Sequence, residues 1–382
     1  MTRGPVLFVI NSLAGGGAER VMLTLLAGSQ GQMAQNPFEL ALLDDEPDAY
    51  PPPVWLPLAR LSTGGSMARG LRSLLALARR RRPRLMVSFL TRANVLCVIV
   101  GRMLGCRTVI SERVNTSAHL AGPRHRVSRL LVRATYRFAD RVIAVSDGVA
   151  DDLVANFGVR RDRIVVIGNP VDLDNVTSRG GEAVPLPCAP PFIAAMGRLT
   201  PTKNMALLVD AYAASGVDVP LVIMGEGPER DVLAAQIARL GLSGRVYLAG
   251  FQKNPYAVLA HAALYVSASN GEGFPNALVE AMALGRPVVV TNCASGPSEI
   301  LADRARESVT GTLETPSGLL VPMNDATALA EAIADVMADP QRRERQGAAG
   351  HEVASAYGVE RAVSRYWAAF DLDHGFPLTG SS

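Results

Sequence analysis

The chain has 382 residues, in which 38 basic residues nearly balance 35 acidic ones. A chain of this length is longer than most single domains with one hydrophobic core, so we expect two domains, each large enough to bury most of its apolar surface. The longest apolar stretch, 85–110, is interrupted by Arg92, Arg102 and Arg107, which excludes a membrane-spanning helix there. The apolar run 6–10 is too short for a signal-peptide core, and we expect a cytoplasmic protein.

The first half of the chain alternates short apolar runs with segments of helical periodicity. Ser146 is a suitable N-cap for a helix over 147–156, which Gly158 would end. The region 175–191 is rich in glycine and proline, lacks periodicity and is predicted to be a linker. Strands are predicted at 6–10, 85–89, 108–110, 141–145 and 163–167.

A second alternating series follows the linker, and such alternation is typical of parallel sheets covered by helices on both faces. Ligands of these sheets bind beyond the carboxyl ends of the strands, so two facing domains would form a cleft. We predict domains at 1–174 and 192–358, and a helix within 359–382 that returns to the first domain. Strands are predicted at 192–196, 221–224, 246–249, 264–267, 287–291 and 319–321.

The most informative segment is a glycine-containing loop at a helix start, where Glu272 and Glu280 lie eight positions apart. The glycines let the backbone approach a ligand, and Pro275 has the φ angle preferred at a first helical position. The N–H groups of Asn276 and Ala277 are then predicted to face an anion, for which a diphosphate is suitable. We predict that Glu280 binds ribose hydroxyls and that Glu272 lies nearer a sugar.

Two cations in one loop provide the complementary charge. The chain uses arginine almost everywhere, and Lys203 and Lys253 are its two lysines. Arg198 and Lys203 follow a predicted strand and supply a forked donor and a compact point charge, so we predict that they neutralise a diphosphate leaving group. Neither glycine cluster of the chain completes the dinucleotide-binding fingerprint, which disfavours a dehydrogenase.

These motifs resemble one family. Gly-Arg-Leu-x-x-x-Lys-Asn, Gly-Glu-Gly-Pro and Glu-Gly-Phe-Pro-Asn-Ala-Leu-Val-Glu-Ala-Met are similar to the GT4 family of retaining glycosyltransferases, and the match covers nearly the whole chain. The Gly-Gly-Gly-Ala-Glu-Arg and Ile-Ser-Glu-Arg segments resemble the branch that builds bacterial polysaccharides and lipid-linked oligosaccharides. The resemblance implies an α/β protein of GT-B fold, in which two Rossmann-like domains have parallel sheets facing an interdomain cleft.

The resemblance also implies roles for single residues. Arg198 and Lys203 would bind the donor diphosphate, Glu280 the ribose and Glu272 the transferred sugar. The expected donor is a UDP-sugar, with no metal or other cofactor. Further donor-binding positions are implied for Gly16 at the phosphate, for Gly225, Glu226 and Phe251 at the nucleobase, and for Gly273, Phe274, Pro275, Asn276 and Ala277 at the sugar. Alternatively, Glu226 caps a helix that begins at Pro228, and Phe251 is a core or rim aromatic.

Two acidic segments require separate interpretation. Many members of the family have a histidine after the fourth strand of the first domain, where this chain has Glu112 and Arg113. Because 60–141 contains eighteen arginines and only two acidic residues, Glu112 is expected to be ionised, and to contact sugar hydroxyls or neutralise Arg113. The sequence Asp172-Leu173-Asp174 matches a metal-binding triplet, but its position at the linker edge favours a turn.

The basic residues of the first domain predict an interaction surface. They recur at three and four residues as one stripe of a helix, and a second cluster precedes it. We predict reversible attachment to anionic lipid headgroups on the cytosolic membrane face, at about 1 kcal/mol per residue, and a polyprenyl-diphosphate-linked acceptor. Sparse aromatic residues disfavour nucleic acid, and a solvated helix surface is the alternative for either cluster. The residues are Arg126, Arg129, Arg133 and Arg137 in the stripe, with Arg69 and Arg72 in the second cluster.

Two other functions remain open from the sequence. A sugar-nucleotide 2-epimerase of the same architecture would bind a similar donor but need no acceptor. A non-catalytic nucleotide-sugar-binding protein would bind the donor without releasing nucleotide. The sequence does not specify an oligomeric state.

Overall fold

The computed structural model describes residues 4–371, and the chain forms two compact units. Among the described residues, the first unit consists of 4–170 and 359–371, and the second of Val171–Gly358. Part of the predicted C-terminal segment, 372–382, lies outside the described residues.

A parallel sheet forms the centre of the first unit. Within residues 4–371 its strands are β1 (Val6–Ile10), β2 (Phe38–Leu42), β3 (Leu58–Arg60), β4 (Leu85–Phe89), β5 (Arg107–Glu112), β6 (Arg141–Ala144) and β7 (Ile164–Val166). They are ordered β3-β2-β1-β4-β5-β6-β7, and the strand order reverses between β1 and β4. Doubly wound sheets bind ligands at such a reversal, outside the carboxyl ends of the strands.

The second unit repeats this plan. Its strands in the described part of the chain are β8 (Phe192–Met196), β9 (Leu221–Met224), β10 (Val246–Gly250), β11 (Ala262–Ser267), β12 (Val288–Thr291), β13 (Leu313–Thr315) and β14 (Gly318–Val321). The order is β10-β9-β8-β11-β12-β14-β13, with β13 antiparallel to β14 and the other pairs parallel. The reversal lies between β8 and β11, whose following loops carry Lys203 and Glu272.

Helices cover both sheets. Over residues 4–371 they are α1 (Gly17–Gly28), α2 (Met67–Arg81), α3 (Thr91–Leu104), α4 (Thr116–His119), α5 (Arg126–Thr135), α6 (Asp147–Phe157), α7 (Leu173–Gly180), α8 (Met205–Ser215), α9 (Arg230–Arg239), α10 (Pro255–Ala260), α11 (Asn276–Ala283), α12 (Pro297–Ala302), α13 (Ala326–Ala338), α14 (Pro340–Ser355) and α15 (Val359–Phe370). None of these helices combines the length and the apolar composition that crossing a bilayer requires.

The last helix, α15, packs on the first sheet. Phe370 contacts Phe8 edge-on, with 5.7 Å between the ring centroids, and Trp367 Nε1 donates to Ser29 Oγ at 2.9 Å. Tyr366 is fully buried. Each large apolar side chain buried in this way contributes about 1.5–3 kcal/mol, which explains why an element so distant in sequence completes the first unit.

The structure differs from the predicted elements at the linker and at three short strands. Helix α7 begins at Leu173, before the predicted linker at 175–191, continues into that linker as far as Gly180 and belongs to the second unit. Asp172 caps the helix, since Asp172 Oδ1 accepts from the Asn175 N–H at 3.1 Å. β2, β3 and β13 were not predicted. β2 contains Glu39, whose buried carboxylate pairs with Arg81 at 3.0 Å, and β3 and β13 have three residues each.

Candidate active site

Lys203 and Glu272 come together at the carboxyl edge of the second sheet. Lys203 Nζ lies 2.5 Å from Glu272 Oε1, and the same oxygen accepts from Ser269 Oγ at 2.7 Å. The side chains are 26% and 11% exposed, so this ion pair is partly shielded from water. Ser269 was not identified from the sequence, because a serine three residues before a glutamate carries no distinctive signal.

Arg198 lies in the same loop as Lys203 and is exposed. Its guanidinium has no hydrogen bond or ion pair with any residue in 4–371. The loop closes tightly, since a Cβ atom at Gly225 would lie 1.9 Å from the carbonyl oxygen of Gly197. Gly225 also has a φ of +136°, so glycine is required there on both grounds. The exposed side chain of Arg198 and the partly buried side chain of Lys203 therefore lie in one loop.

The helix after Glu272 starts differently from the prediction. Helix α11 begins at Asn276, and Pro275 precedes it rather than occupying its first position. The Asn276 N–H donates to the carbonyl oxygen of Phe274 at 3.0 Å, so the prediction that this amide faces an anion is wrong for this conformation. The role of Ala277 stays a prediction. Phe274 is buried against Tyr357, with 5.2 Å between the ring centroids, and the contact of its backbone with a sugar stays a prediction.

Glu280 is buried in α11 and is 3% exposed. Its Oε1 accepts from Tyr256 OH at 3.2 Å, and the Arg179 guanidinium lies 5.6 Å from the centre of the Tyr256 ring. Tyr256 belongs to the short helix α10, which contains no motif that indicates a function. A phenol that already holds one carboxylate oxygen restricts the orientation of Glu280 toward a bound hydroxyl.

The predicted nucleobase positions lie at the ends of β9 and β10. Glu226 pairs with Arg230 at 3.1 Å, and α9 begins at Arg230, so the alternative that Glu226 caps a helix from Pro228 is wrong. Phe251 is 77% exposed, so it is a surface aromatic and not a core residue. An exposed ring beside Gly250 offers a flat apolar face to a ligand.

In the first unit, Gly16 caps the start of α1 with extended backbone geometry and no side-chain hydrogen bond. Gly273, like Asn276 and Ala277, is half-buried in the second unit. The binding roles of these glycines stay predictions.

Glu112 is the clearest departure from the sequence-based expectation. It is fully buried at the end of β5, where Oε2 accepts from Tyr136 OH at 2.6 Å and Oε1 from the Arg113 N–H at 3.2 Å. The Arg113 guanidinium instead donates to Ser111 Oγ at 3.2 Å and to Tyr366 OH at 2.5 Å. Burial raises the pKa of Glu112 to about 7, against the opposing effects of Tyr136 and Arg113. Burial therefore opposes the expected ionisation of Glu112, and the alternative that its carboxylate pairs with the Arg113 guanidinium is wrong. The alternative that Glu112 contacts sugar hydroxyls stays a prediction.

The raised pKa of Glu112 predicts a pH-dependent stability. Because the folded state holds this proton more tightly than the unfolded chain, the contribution of Glu112 to stability falls as the pH rises from about 4.5 to about 7. Glu112→Gln stays neutral, so its stability relative to wild type is expected to rise by at least about 1 kcal/mol across that window. Urea unfolding at pH 5 and pH 8 measures this through Trp55 and Trp367, the chain's two tryptophans, which both belong to the first unit.

The control is Glu360→Gln, which changes an exposed carboxylate on α15 of the same unit. A stability difference between Glu112→Gln and wild type that is the same at both pH values would contradict the proposed protonation of Glu112.

The arginine stripe lies on α5 and the turn after it. Arg126, Arg129, Arg133 and Arg137 are all exposed, and the described helix has no acidic residue. Exposed apolar side chains follow three of these arginines directly in the sequence. They are Val127 at 70%, Leu130 at 68% and Phe138 at 42% exposed. Helices with adjacent cationic and apolar stripes bind at membrane interfaces.

The second cluster also lies at the surface. Arg69 and Arg72 are both exposed, and Arg69 Nε donates to the Thr63 carbonyl oxygen at 2.9 Å. The Arg69 side chain thus folds back onto its own loop.

Comparison with known proteins agrees with this architecture. The model of Glycosyltransferase Family 4 matches residues 15–175, and that of Glycosyl transferases group 1 matches residues 182–353. The crystal structure of HepE from Anabaena in complex with UDP has a TM-score of 0.75 at 21% identity, covering 96% of this chain and 99% of that chain. An apo form of the lipopolysaccharide outer core galactosyltransferase WaaB gives 0.74 at 18%, covering 97% and 100%.

Two relatives are similar in sequence. The N-acetylgalactosamine-N,N'-diacetylbacillosaminyl-diphospho-undecaprenol 4-alpha-N-acetylgalactosaminyltransferase of Campylobacter jejuni is 33% identical over 259 residues, 67% of each chain. The lipopolysaccharide core biosynthesis glycosyltransferase LpsE of Rhizobium meliloti is 32% identical over 217 residues, 57% of this chain and 59% of that protein. With two doubly wound units and a paired lysine and glutamate at the edge of the second sheet, the chain belongs to glycosyltransferase family 4 and has the GT-B fold.

Proposed function

We propose that this glycosyltransferase moves a sugar, with retention of configuration, from a UDP-sugar to a polyprenyl-diphosphate-linked saccharide at an anionic membrane surface. The observation that carries the proposal is the Lys203–Glu272 pair at 2.5 Å, with Arg198, which has no side-chain partner within residues 4–371, in the same loop. The name of the Campylobacter relative specifies an undecaprenol-diphosphate-linked acceptor, and HepE was crystallised with UDP. Both support the proposed substrates.

Charge separation explains how these residues would act. When the bond between the anomeric carbon and the diphosphate oxygen breaks, negative charge grows on the leaving group and positive charge on the sugar. The Lys203 ammonium has three donors, so it can bind a phosphate oxygen while it keeps Glu272 in place. The Glu272 carboxylate is then held near the developing cation. Positioning and electrostatics, without a covalent intermediate, would supply most of the rate.

The donor and acceptor can be identified in one experiment. UDP-, GDP- and ADP-sugars are each incubated with the protein, and released nucleotide is measured with and without a polyprenyl-diphosphate-linked saccharide. We expect nucleotide release from UDP-sugars that depends on the acceptor. Conversion of the donor to an epimer without acceptor, or binding without nucleotide release, would contradict transfer.

We also propose that the reaction needs no divalent metal. In the acidic triplet Asp172-Leu173-Asp174, the Asp172 carboxylate caps helix α7. The cations of the Lys203 loop provide the positive charge that a metal ion would otherwise supply. Turnover in excess chelator is therefore expected to stay within about twofold of turnover with added magnesium. A strict requirement for a divalent ion would refute this part of the proposal.

A further inference from the structure

Two loops of the second unit carry the ion pair, and asparagine side chains connect them. Lys203 lies in the loop after β8 and Glu272 in the loop after β11, and these two strands are paired. Asn270 contacts the first loop on both sides of Lys203. Its N–H donates to the Thr202 carbonyl oxygen at 2.8 Å, and its Oδ1 accepts from Asn204 Nδ2 at 3.2 Å. The backbone that bears the ammonium is thereby fixed to the loop that bears the carboxylate.

Asn204 has an unusual backbone conformation, and its side-chain amide contacts neighbouring loops. It precedes α8 with a φ of +48° and a ψ of +45°, a left-handed conformation that asparagine tolerates better than most residues. Its side chain makes no capping hydrogen bond to its own helix. Instead Nδ2 donates to Asn270 Oδ1 and, at 3.2 Å, to Asn324 Oδ1 in the loop before α13. The side chain of Asn204 therefore contacts neighbouring loops, while its backbone carbonyl oxygen accepts from the Leu207 N–H at 3.1 Å at the start of α8.

Lysine has a flexible four-carbon stem, so the position of its ammonium depends on how firmly its backbone is held. We infer that Asn204 and Asn270 form a clamp that positions Lys203 for the donor diphosphate, with Asn204 as a positioning residue. The inference rests on the proposed role of Lys203. A group that is held in place before binding loses less freedom when the ligand arrives, so the clamp would increase affinity for any nucleoside diphosphate.

Binding of UDP to the full chain, measured by calorimetry, tests the clamp. Asn204→Asp keeps the size of the side chain but replaces the donor with a carboxylate facing Asn270 Oδ1. Asn204→Gly keeps the left-handed backbone and removes the amide, so it provides a second variant if the aspartate prevents folding. Each variant is expected to weaken UDP binding roughly tenfold. In the Lys203→Ala background the same changes are expected to have no further effect, because the clamp acts through Lys203.

The matched control is Asn324→Gly, which removes the outer partner of Asn204 and leaves the contacts of Asn270 intact. It is expected to bind UDP within about twofold of wild type. The clamp would be overturned if the Asn204 variants lost the same UDP affinity with and without Lys203, or if Asn324→Gly lost as much affinity as they do. Either result would show general destabilisation. If both Asn204 variants bind UDP with wild-type affinity while Lys203→Ala binds it weakly, the clamp is overturned but the proposed role of Lys203 is not. Wild-type affinity of Lys203→Ala would overturn the proposed role of Lys203 and the clamp together.

Discussion

Lys203→Ala is expected to lower turnover by about 10²- to 10³-fold, the range observed when one donor that stabilises transition-state charge is removed. The Lys203 side chain is 26% exposed, and its ammonium lies 2.5 Å from Glu272 Oε1. An ammonium has three donors, so we expect Lys203 to bind a phosphate oxygen as well as Glu272. The measurement is steady-state turnover with the preferred UDP-sugar, together with UDP affinity.

Lys253→Ala is the matched control, because Lys253 is the other lysine of the chain and is exposed. It is expected to turn over at the wild-type rate. If the Lys203–Glu272 pair were only structural, Lys203→Ala would lower the melting temperature, and turnover would fall only with the folded fraction. Near-wild-type turnover of Lys203→Ala would remove this residue from the active site.

Replacing Arg126, Arg129 and Arg133 with glutamine is expected to weaken binding to anionic vesicles on the order of 10²-fold. Each basic residue near a negatively charged surface contributes about 1 kcal/mol, and all three are exposed on one face of α5. Arg137 is left in place because its guanidinium stacks on Phe138, 4.8 Å from the ring centre. Sedimentation with vesicles at low salt measures the binding, and added salt should weaken the wild-type interaction.

A charge-matched control shows whether the position or only the number of arginines matters. It replaces three exposed arginines of the second unit, Arg239, Arg304 and Arg345. This control is expected to keep most of the wild-type binding. Equal loss in both variants would indicate a non-specific charge effect and contradict a membrane-binding face on α5.

Several central parallel strands were predictable from the sequence because their burial is nearly complete. β1, β8 and β9 are apolar throughout, since helices cover both faces of each sheet and leave no polar side to alternate. β2 was not predicted because Glu39 interrupts its apolar run. The buried Glu39 carboxylate is stabilised by an ion pair with Arg81, which is distant in the sequence. Short edge strands such as β3 contain too few residues for a periodic signal.

Helix α7 shows that amino-acid composition alone does not predict whether a segment is helical. A region rich in glycine and proline predicts irregular structure, yet a single side-chain cap at Asp172 and burial of Val176 are sufficient for two helical turns. Short helices form when tertiary packing offsets a weak intrinsic preference.

By itself, the sequence determined which loops hold the candidate site residues. In a βαβ unit every loop after a strand lies at the same edge of the sheet, so the positions of Arg198, Lys203 and Glu272 after predicted strands place them on one edge. Only the tertiary structure decided the state and partners of the side chains. Burial raises the pKa of Glu112, which accepts a hydrogen bond from Tyr136, 24 residues away, and Glu280 accepts one from Tyr256, also 24 residues away. The pKa and orientation of a group depend on what surrounds it in space, and the local sequence contains no record of those neighbours.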